Sequence, residues 1–206
     1  MAEFDTLPGR PHPLGATPDE NGVNFSVYSQ YAESVTLLLF EHAGDTEPAQ
    51  SIVLTPRENR TFFFWHVFVS GLPAGWHYAY RADGPHDLEQ GGHRFNPNKV
   101  LLDPYARGLS NRLWNRIDAC DERDNLASAM RCEIIDTRDY DWEGDRPLGQ
   151  PMKDAVIYET HVRGFTRSPS AGTTHPGTFR ALIEKIPYLK ELGVTAVELL
   201  PVFDFD

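Results

Sequence analysis

Among the side chains of types that do chemistry, the most suggestive grouping lies near the C-terminal end of this sequence. Glu159 and His161 follow a short β-rich run, Ala155-Val156-Ile157-Tyr158, and Glu198 sits inside a second run, Val194 to Val202. Paired carboxylates can act as acid and nucleophile when their surroundings push their pKa values apart. Glu198 lies in the middle of an apolar strand, however, where a carboxylate needs a cation, and Arg163 is the candidate partner for a buried ion pair. Neither glutamate is read as catalytic. Glu159 and His161 have a ligand-contact reading beside a structural one. Asp204 and Asp206 could approach a metal or a sugar, but two acids at a chain end read as solvated. Asp121, Glu122 and Asp124 lack the spacing of a Ca²⁺ loop and read as a solvated face. Cys120 and Cys132 have no CxxC pair or zinc-type cluster around them; a disulfide is open to them, and reduced thiols are the default reading. No metal site and no cofactor is called for.

The tryptophans carry a different chemistry, because the apolar face of a pyranose fits a flat aromatic ring. Trp65 lies in Phe62-Phe63-Phe64-Trp65-His66-Val67-Phe68-Val69, where a core position competes with a stacking one. Trp76 begins a strand beside a turn and is the better stacking candidate. Trp114 and Trp142, in an irregular stretch, read as residues that pin loops.

Composition narrows the ligand. Of 206 residues, 40% are hydrophobic and 12% aromatic, enough for a packed core. With 19 Lys+Arg against 30 Asp+Glu the formal charge is -11, which argues against nucleic acid and fits a neutral ligand. The N-terminus shows no basic n-region or apolar h-region, and no apolar run approaches the roughly 20 residues that span a bilayer. The expectation is a cytoplasmic protein without membrane contact.

The elements that must position these residues fall into three stretches. Over 1–88, the alternation of Val23, Phe25 and Val27 predicts a strand, the runs Val35 to Phe40, Ser51 to Leu54 and Thr61 to Val69 predict three more, and Trp76, Tyr78 and Tyr80 share one face of a fifth. Five short strands with no helical period predict an all-β, immunoglobulin-like sandwich. Residues 89–152 are irregular, with a short strand at Leu101-Leu102 and an extended connector over Asp139 to Met152. The stretch is too long for an ordinary loop and is expected to wrap against its neighbours. In 153–206, Phe179, Leu182, Ile183, Ile186 and Leu189 follow helical spacing. Pro187 predicts a kink or two short helices, and Gly193 closes the helix. Strand, helix and apolar strand make a βαβ unit with a parallel pair. A parallel strand apolar on both faces needs cover on both. This predicts either that the α/β part continues past Asp206 or that the sandwich shields the pair.

Several strings then resemble one family in order and at plausible spacing. They are Pro13-Leu14-Gly15-Ala16 with Gly22-Val23-Asn24-Phe25-Ser26-Val27, Tyr80-Arg81-Ala82-Asp83-Gly84-Pro85, Arg94-Phe95-Asn96-Pro97-Asn98-Lys99, and Leu101 to Ala106. Val156-Ile157-Tyr158-Glu159 with His161-Val162-Arg163-Gly164-Phe165-Thr166, and Ile186 to Val202, complete the set. Together they resemble the isoamylase-type glycogen debranching enzymes of the α-amylase superfamily, over nearly the whole chain. Ala79, where the family often has a glycine, and Asn125 to Cys132 depart from the pattern.

The resemblance implies a multi-domain protein: a carbohydrate-binding-module-like sandwich (1–88), a connecting segment (89–152), and the first βαβ part of a (β/α)₈ barrel, incomplete in this chain (153–206). It implies a glycoside hydrolase that cleaves α-1,6 branch linkages of glycogen or limit dextrin with retention, using two carboxyl groups about 5 Å apart. In the family those carboxylates lie on later strands, so none is assigned here and the chain alone is expected to be inactive. Active sites of such barrels sit at the C-terminal ends of strands. That places Glu159 and His161, with Trp76 and Trp65, as candidate contacts to an α-glucan. A stand-alone α-glucan-binding module without enzymatic activity is the alternative, and one half of a split enzyme is a third reading.

Overall fold

The computed structural model describes residues 3–89, 91–138 and 140–202. Contacts gather the chain into two compact units, Met1–Tyr140 and Asp141–Asp206. The first unit contains strands β1 (Thr6–Pro8), β2 (Gly15–Asp19), β3 (Gly22–Tyr28), β4 (Ser34–Phe40), β5 (Gln50–Leu54), β6 (Arg60–Thr61), β7 (Phe64–Ser70) and β8 (His77–Asp83). It continues with β9 (His86–Asp87), β10 (His93–Arg94), β11 (Leu109–Ser110), helix α1 (Arg116–Cys120) and β12 (Arg131–Glu133).

These strands form an all-β sandwich. One sheet runs β1-β7-β3-β2, with β6 also on β7, and the other runs β11-β12-β8-β4-β5. Alternation decides what faces inward. Val23 and Phe25 of β3, with Trp65, Val67 and Val69 of β7, meet Leu37 and Leu39 of β4 and Tyr78 and Tyr80 of β8 in one core. The ladders are in register, with Phe25 opposite Val67 and Leu37 opposite Tyr80. Gly22, at φ +152, turns β2 into β3 where an added Cβ would lie 2.1 Å from the carbonyl oxygen of Val69.

The run Leu37-Leu38-Leu39-Phe40 has no polar position because both of its faces are covered. Its outward residues Leu38 and Phe40, with Ala79, pack under Val100, Ala129 and Leu126. Val100, Leu126 and Ala129 thus cover the second sheet, while reciprocal backbone bonds between Tyr80 and Leu101 (2.9 and 2.7 Å) set Leu101 beside β8. Arg131 is fully buried there. Its guanidinium lies 4.0 Å from the centre of the Phe40 ring and donates to the carbonyl oxygens of Ala129 and Leu126. Carbonyls and an aromatic face thus stand in for a carboxylate partner.

The run from Thr61 to Val69, expected as one strand, is broken. Thr61 pairs with Phe64 across a two-residue turn, Phe62-Phe63, whose first residue has φ +54. β1 and β2 carry little local signal. Tertiary pairing with β7 and β3 creates them, and Pro18 is tolerated because β2 ends the sheet.

The second unit holds β13 (Ile157–Thr160), α2 (Val162–Thr166), α3 (Phe179–Glu184), α4 (Ile186–Glu191) and β14 (Ala196–Leu199). β13 and β14 pair in parallel, Ile157 with Ala196 through Thr160 with Leu199. The expected break near Pro187 separates α3 from α4 at Lys185, and Gly193 has φ +80. All four residues of β14 are exposed. α3 and α4 bury only Ala181 and Leu189.

Candidate functional site

Trp76 lies one residue before β8, after a turn in which Gly75 has φ +88. Backbone bonds of 2.8 Å between Trp76 and Ile134 and between Gly75 and Ile134 extend the β8–β12 pairing up to it. Its half-buried ring stands edge-on to Phe4, 4.9 Å between centroids at 83°. It borders an open hollow of about 490 Å³ together with Glu41, Asp45, Thr46 and Glu47. An aromatic wall beside carboxylates has the makeup of a sugar cradle, since carboxylates accept hydrogen bonds from hydroxyl groups.

Trp65 is placed otherwise. It has no exposed surface. Its Nε1 donates to the carbonyl of Ser29 at 3.2 Å, and the Arg60 guanidinium lies 5.0 Å from its ring. The inward phase of β7 assigns Trp65 to the core, so the stacking reading is corrected: no ring face is open to a ligand. Trp142 is exposed, and its carbonyl accepts from the Asp145 N–H at 2.7 Å.

At the end of β13, His161 caps α2. Its Nδ1 accepts from the N–H groups of Arg163 and Gly164, each at 3.1 Å, which puts the ring proton on Nε2. The exposed ring therefore has a structural task and a free donor edge. Glu159 is exposed and in register with Glu198 of β14. The expected buried ion pair of Glu198 with Arg163 is not formed: Glu198 is exposed, and the two make no ion pair among the described residues. An open α/β edge leaves the carboxylate in water, where it needs no cation. A separate hollow of about 370 Å³ in this unit is lined by Tyr158, Phe165, Ser168, Ser170, Lys185 and Tyr188. Asp204 and Asp206 lie outside the described residues.

The acidic run at 121–124 is charge-paired rather than merely solvated. Lys99 Nζ donates to Asp121 at 3.0 Å and to the carbonyls of Asp118 and Arg123, and Arg81 pairs with Asp124 at 2.7 Å. The Lys99 and Arg123 bonds hold the Asp121 carboxyl down at about 2.

Two groupings escaped the sequence reading. Buried Asp103 accepts from Tyr78 Oη at 3.0 Å and from the Tyr105 N–H at 2.8 Å, and its own N–H points at Cys132 Sγ, 3.2 Å away. Burial raises the Asp103 carboxyl and pushes the Cys132 thiol up to about 12. These groups are sealed inside the sandwich and make a structural network. The second grouping is exposed: Tyr28, Phe62 and Phe63 at the β6–β7 turn, with Phe62 84% accessible. Its signal in the sequence was three consecutive phenylalanines, one more than a strand face needs.

Both cysteines are free, Cys120 exposed and Cys132 buried. Among the described residues no group of three His, Cys, Asp or Glu side chains could hold a metal ion, and no helix is long and apolar enough to cross a membrane.

Residues 13–106 match the family model of carbohydrate-binding module 48, the isoamylase N-terminal domain. The chain is 41% identical over 202 residues to isoamylase 1, chloroplastic, of Arabidopsis thaliana, covering 96% of this chain and 25% of that protein. It is 42% identical over 211 residues to the glycogen debranching enzyme of Pectobacterium atrosepticum, covering 98% and 30%. The chain thus spans 25 to 30% of the length of these relatives. Among solved structures it is similar to a multi-modular glycogen-degrading pneumococcal virulence factor in a product complex (28% identity, TM-score 0.68, 97% of this chain and 20% of that one). It is also similar to a GBS pullulanase in complex with maltotetraose (27% identity, TM-score 0.68, 94% and 24%).

Proposed function

We propose that this chain is part of an isoamylase-type debranching enzyme, an α-1,6-glucosidase of glycogen or limit dextrin; its match to carbohydrate-binding module 48 and its likeness to isoamylase and glycogen debranching enzyme support the reading. The carrying observation is the order of parts: a module at 13–106 followed by a parallel β13–α–β14 unit, in a chain that resembles debranching enzymes along its whole length. In this reading 1–88 is the body of the module, 89–152 a connecting segment that adds β11 and β12 to its second sheet, and 153–206 the opening βαβ of a (β/α)₈ barrel. The barrel reading accounts for the exposure of β14, because a parallel strand is normally covered on both faces.

Retaining hydrolysis needs an acid and a nucleophile about 5 Å apart, held in environments that separate their roles. Glu159 and Glu198 are neighbours on open strands and are not assigned those roles. In an assembled barrel Glu159 and His161, at the C-terminal end of β13, would face the substrate side. Their role here is to contact sugar and not to cleave it. In the module, Trp76 and its carboxylate-lined hollow form the proposed glucan contact. The whole is placed in the cytoplasm, acts without a cofactor and has a neutral polysaccharide as its partner.

Affinity electrophoresis of the 206-residue chain in a glycogen gel, beside a reducing-end assay on limit dextrin, tests this. The expected result is retardation that weakens in Trp76→Ala, with no reducing ends released. Mobility equal to that of a non-binding control would remove the binding claim, and release of reducing ends would remove the claim that the chain alone is inactive. The match at 13–106 also favours a second reading, a stand-alone α-glucan-binding module. An in-frame continuation of the coding sequence carrying the missing carboxylates would decide against it.

A further inference from the structure

The β6–β7 turn breaks two local rules at once. Phe62 has φ +54, a conformation that bulky side chains avoid, and it is 84% exposed. A glycine would relieve the backbone, and a polar residue would suit the exposure. Other residues hold the turn in place. Arg60 Nε donates to the carbonyl of Phe62 at 2.8 Å and its Nη2 to the carbonyl of Gln30 at 3.0 Å, while its guanidinium lies 5.9 Å from the Phe63 ring centre.

Phe62 does not stand alone. Phe63 lies edge-on to exposed Tyr28 at 6.1 Å, and Tyr28 edge-on to Phe64 at 5.5 Å. Beside them lies a hollow of about 460 Å³, bordered by His12, Leu14, Val27, Tyr28, Phe64 and Tyr105. Tyr28 belongs to both, so turn and hollow form one continuous aromatic face. No carboxylate lies among these residues. The guanidinium of Arg60 is committed to holding the turn.

We propose that this face, Phe62-Phe63-Tyr28 with the adjoining hollow, is a second α-glucan platform, separate from the Trp76 hollow on the same module. Aromatic planes also stack on nucleobases, but a nucleic acid needs a cationic track and this chain carries a net charge of -11. A neutral chain of pyranoses has what the face recognises: apolar C–H surfaces for the rings and hydroxyls for Tyr28, Gln30 and His12. The match of residues 13–106 to a carbohydrate-binding module points to the same class of ligand. The inference rests on the reading that the module binds α-glucan, and it adds where and how.

Phe62→Gly separates binding from folding, because glycine accepts φ +54. Maltoheptaose titration and glycogen affinity electrophoresis of the 206-residue chain compare wild type, Phe62→Gly, Phe62→Tyr and Trp76→Ala, with Tm and sedimentation velocity alongside. Expected is a loss of affinity of about threefold to tenfold in Phe62→Gly, the size of one aromatic contact, with Tm no lower and Phe62→Tyr close to wild type. Unchanged glucan affinity in Phe62→Gly overturns the inference. If Trp76→Ala alone then weakens binding, the proposed module function stands without it. A change in sedimentation with no change in glucan mobility also overturns it, by making the face a contact between copies of the chain.

Discussion

Glu159 and Glu198 stand in register on the parallel strands β13 and β14, both exposed, so two carboxylates of like charge share one rung of the ladder. Like charges directly opposite one another destabilise a pair of strands. Glu198→Gln is therefore expected to raise the thermal midpoint of the chain slightly in low salt, with the gain fading in high salt as screening weakens the repulsion. A midpoint lowered by the substitution would mean that Glu198 has an attractive partner.

Tyr78 donates to Asp103 inside the sandwich, tying the 101–106 segment to β8. Phe at position 78 leaves a buried carboxylate short of a donor, and Tyr78→Phe is expected to cost about 1–3 kcal/mol in urea unfolding.

Asp103 also sets a pH dependence. Burial raises its carboxyl above the ordinary carboxylate range, so the folded state binds the proton more tightly than the unfolded chain does. The stability linked to that proton is present at acid pH and declines as pH rises through the raised value. Asp103→Asn keeps an acceptor for the Tyr105 N–H and offers an amide to Tyr78. It is expected to flatten stability against pH over this window. An unchanged slope in urea midpoints would show that Asp103 is not the titrating group.

Asp121 works in the opposite sense. The Lys99 ammonium, followed by the Arg123 guanidinium, holds its carboxyl at about 2. The contribution is present above the ordinary carboxylate range and is lost as pH falls toward about 2. In Lys99→Met the NMR titration midpoint of the Asp121 side chain is expected to move up toward the ordinary value. A midpoint that stays put would assign the depression to Arg123 alone.

Cys120 is exposed, whereas Cys132 is buried with its thiol pushed up to about 12. The native chain should expose one thiol to a disulfide reagent and the denatured chain two, because the thiolate is the nucleophile. Rapid reaction of both in the native state would contradict the burial of Cys132.

Where local pattern carries the signal, the sequence was enough. Alternation marks β3, and short runs between turns mark β4 and β5; Pro187 and Gly193 mark the split helix and its end; the succession of strand, helices and apolar strand marks a parallel pair. The strings at 13–27, 80–85 and 94–106 pointed to the family because they recur in order. The candidate contacts were legible as residue types and less so as positions. Trp65 and Trp76 look alike in sequence, but the phase of β7 against the opposite sheet buries one, and a turn before β8 leaves the other half open. Glu198 reads as buried in an apolar run, yet β14 is exposed along its length and the carboxylate stays in water. Asp103 and Cys132, 29 residues apart, meet only because β12 pairs with β8 and the 101–106 segment folds onto the same strand. The turn at Phe62-Phe63 hides inside what reads as a single strand. Sequence alone therefore determined β3, β4 and β5, the split helix and the family resemblance, since periodicity and chain punctuation act over a few residues. Burial and exposure were decided by the tertiary structure, because which face of an element is covered depends on segments far away along the chain.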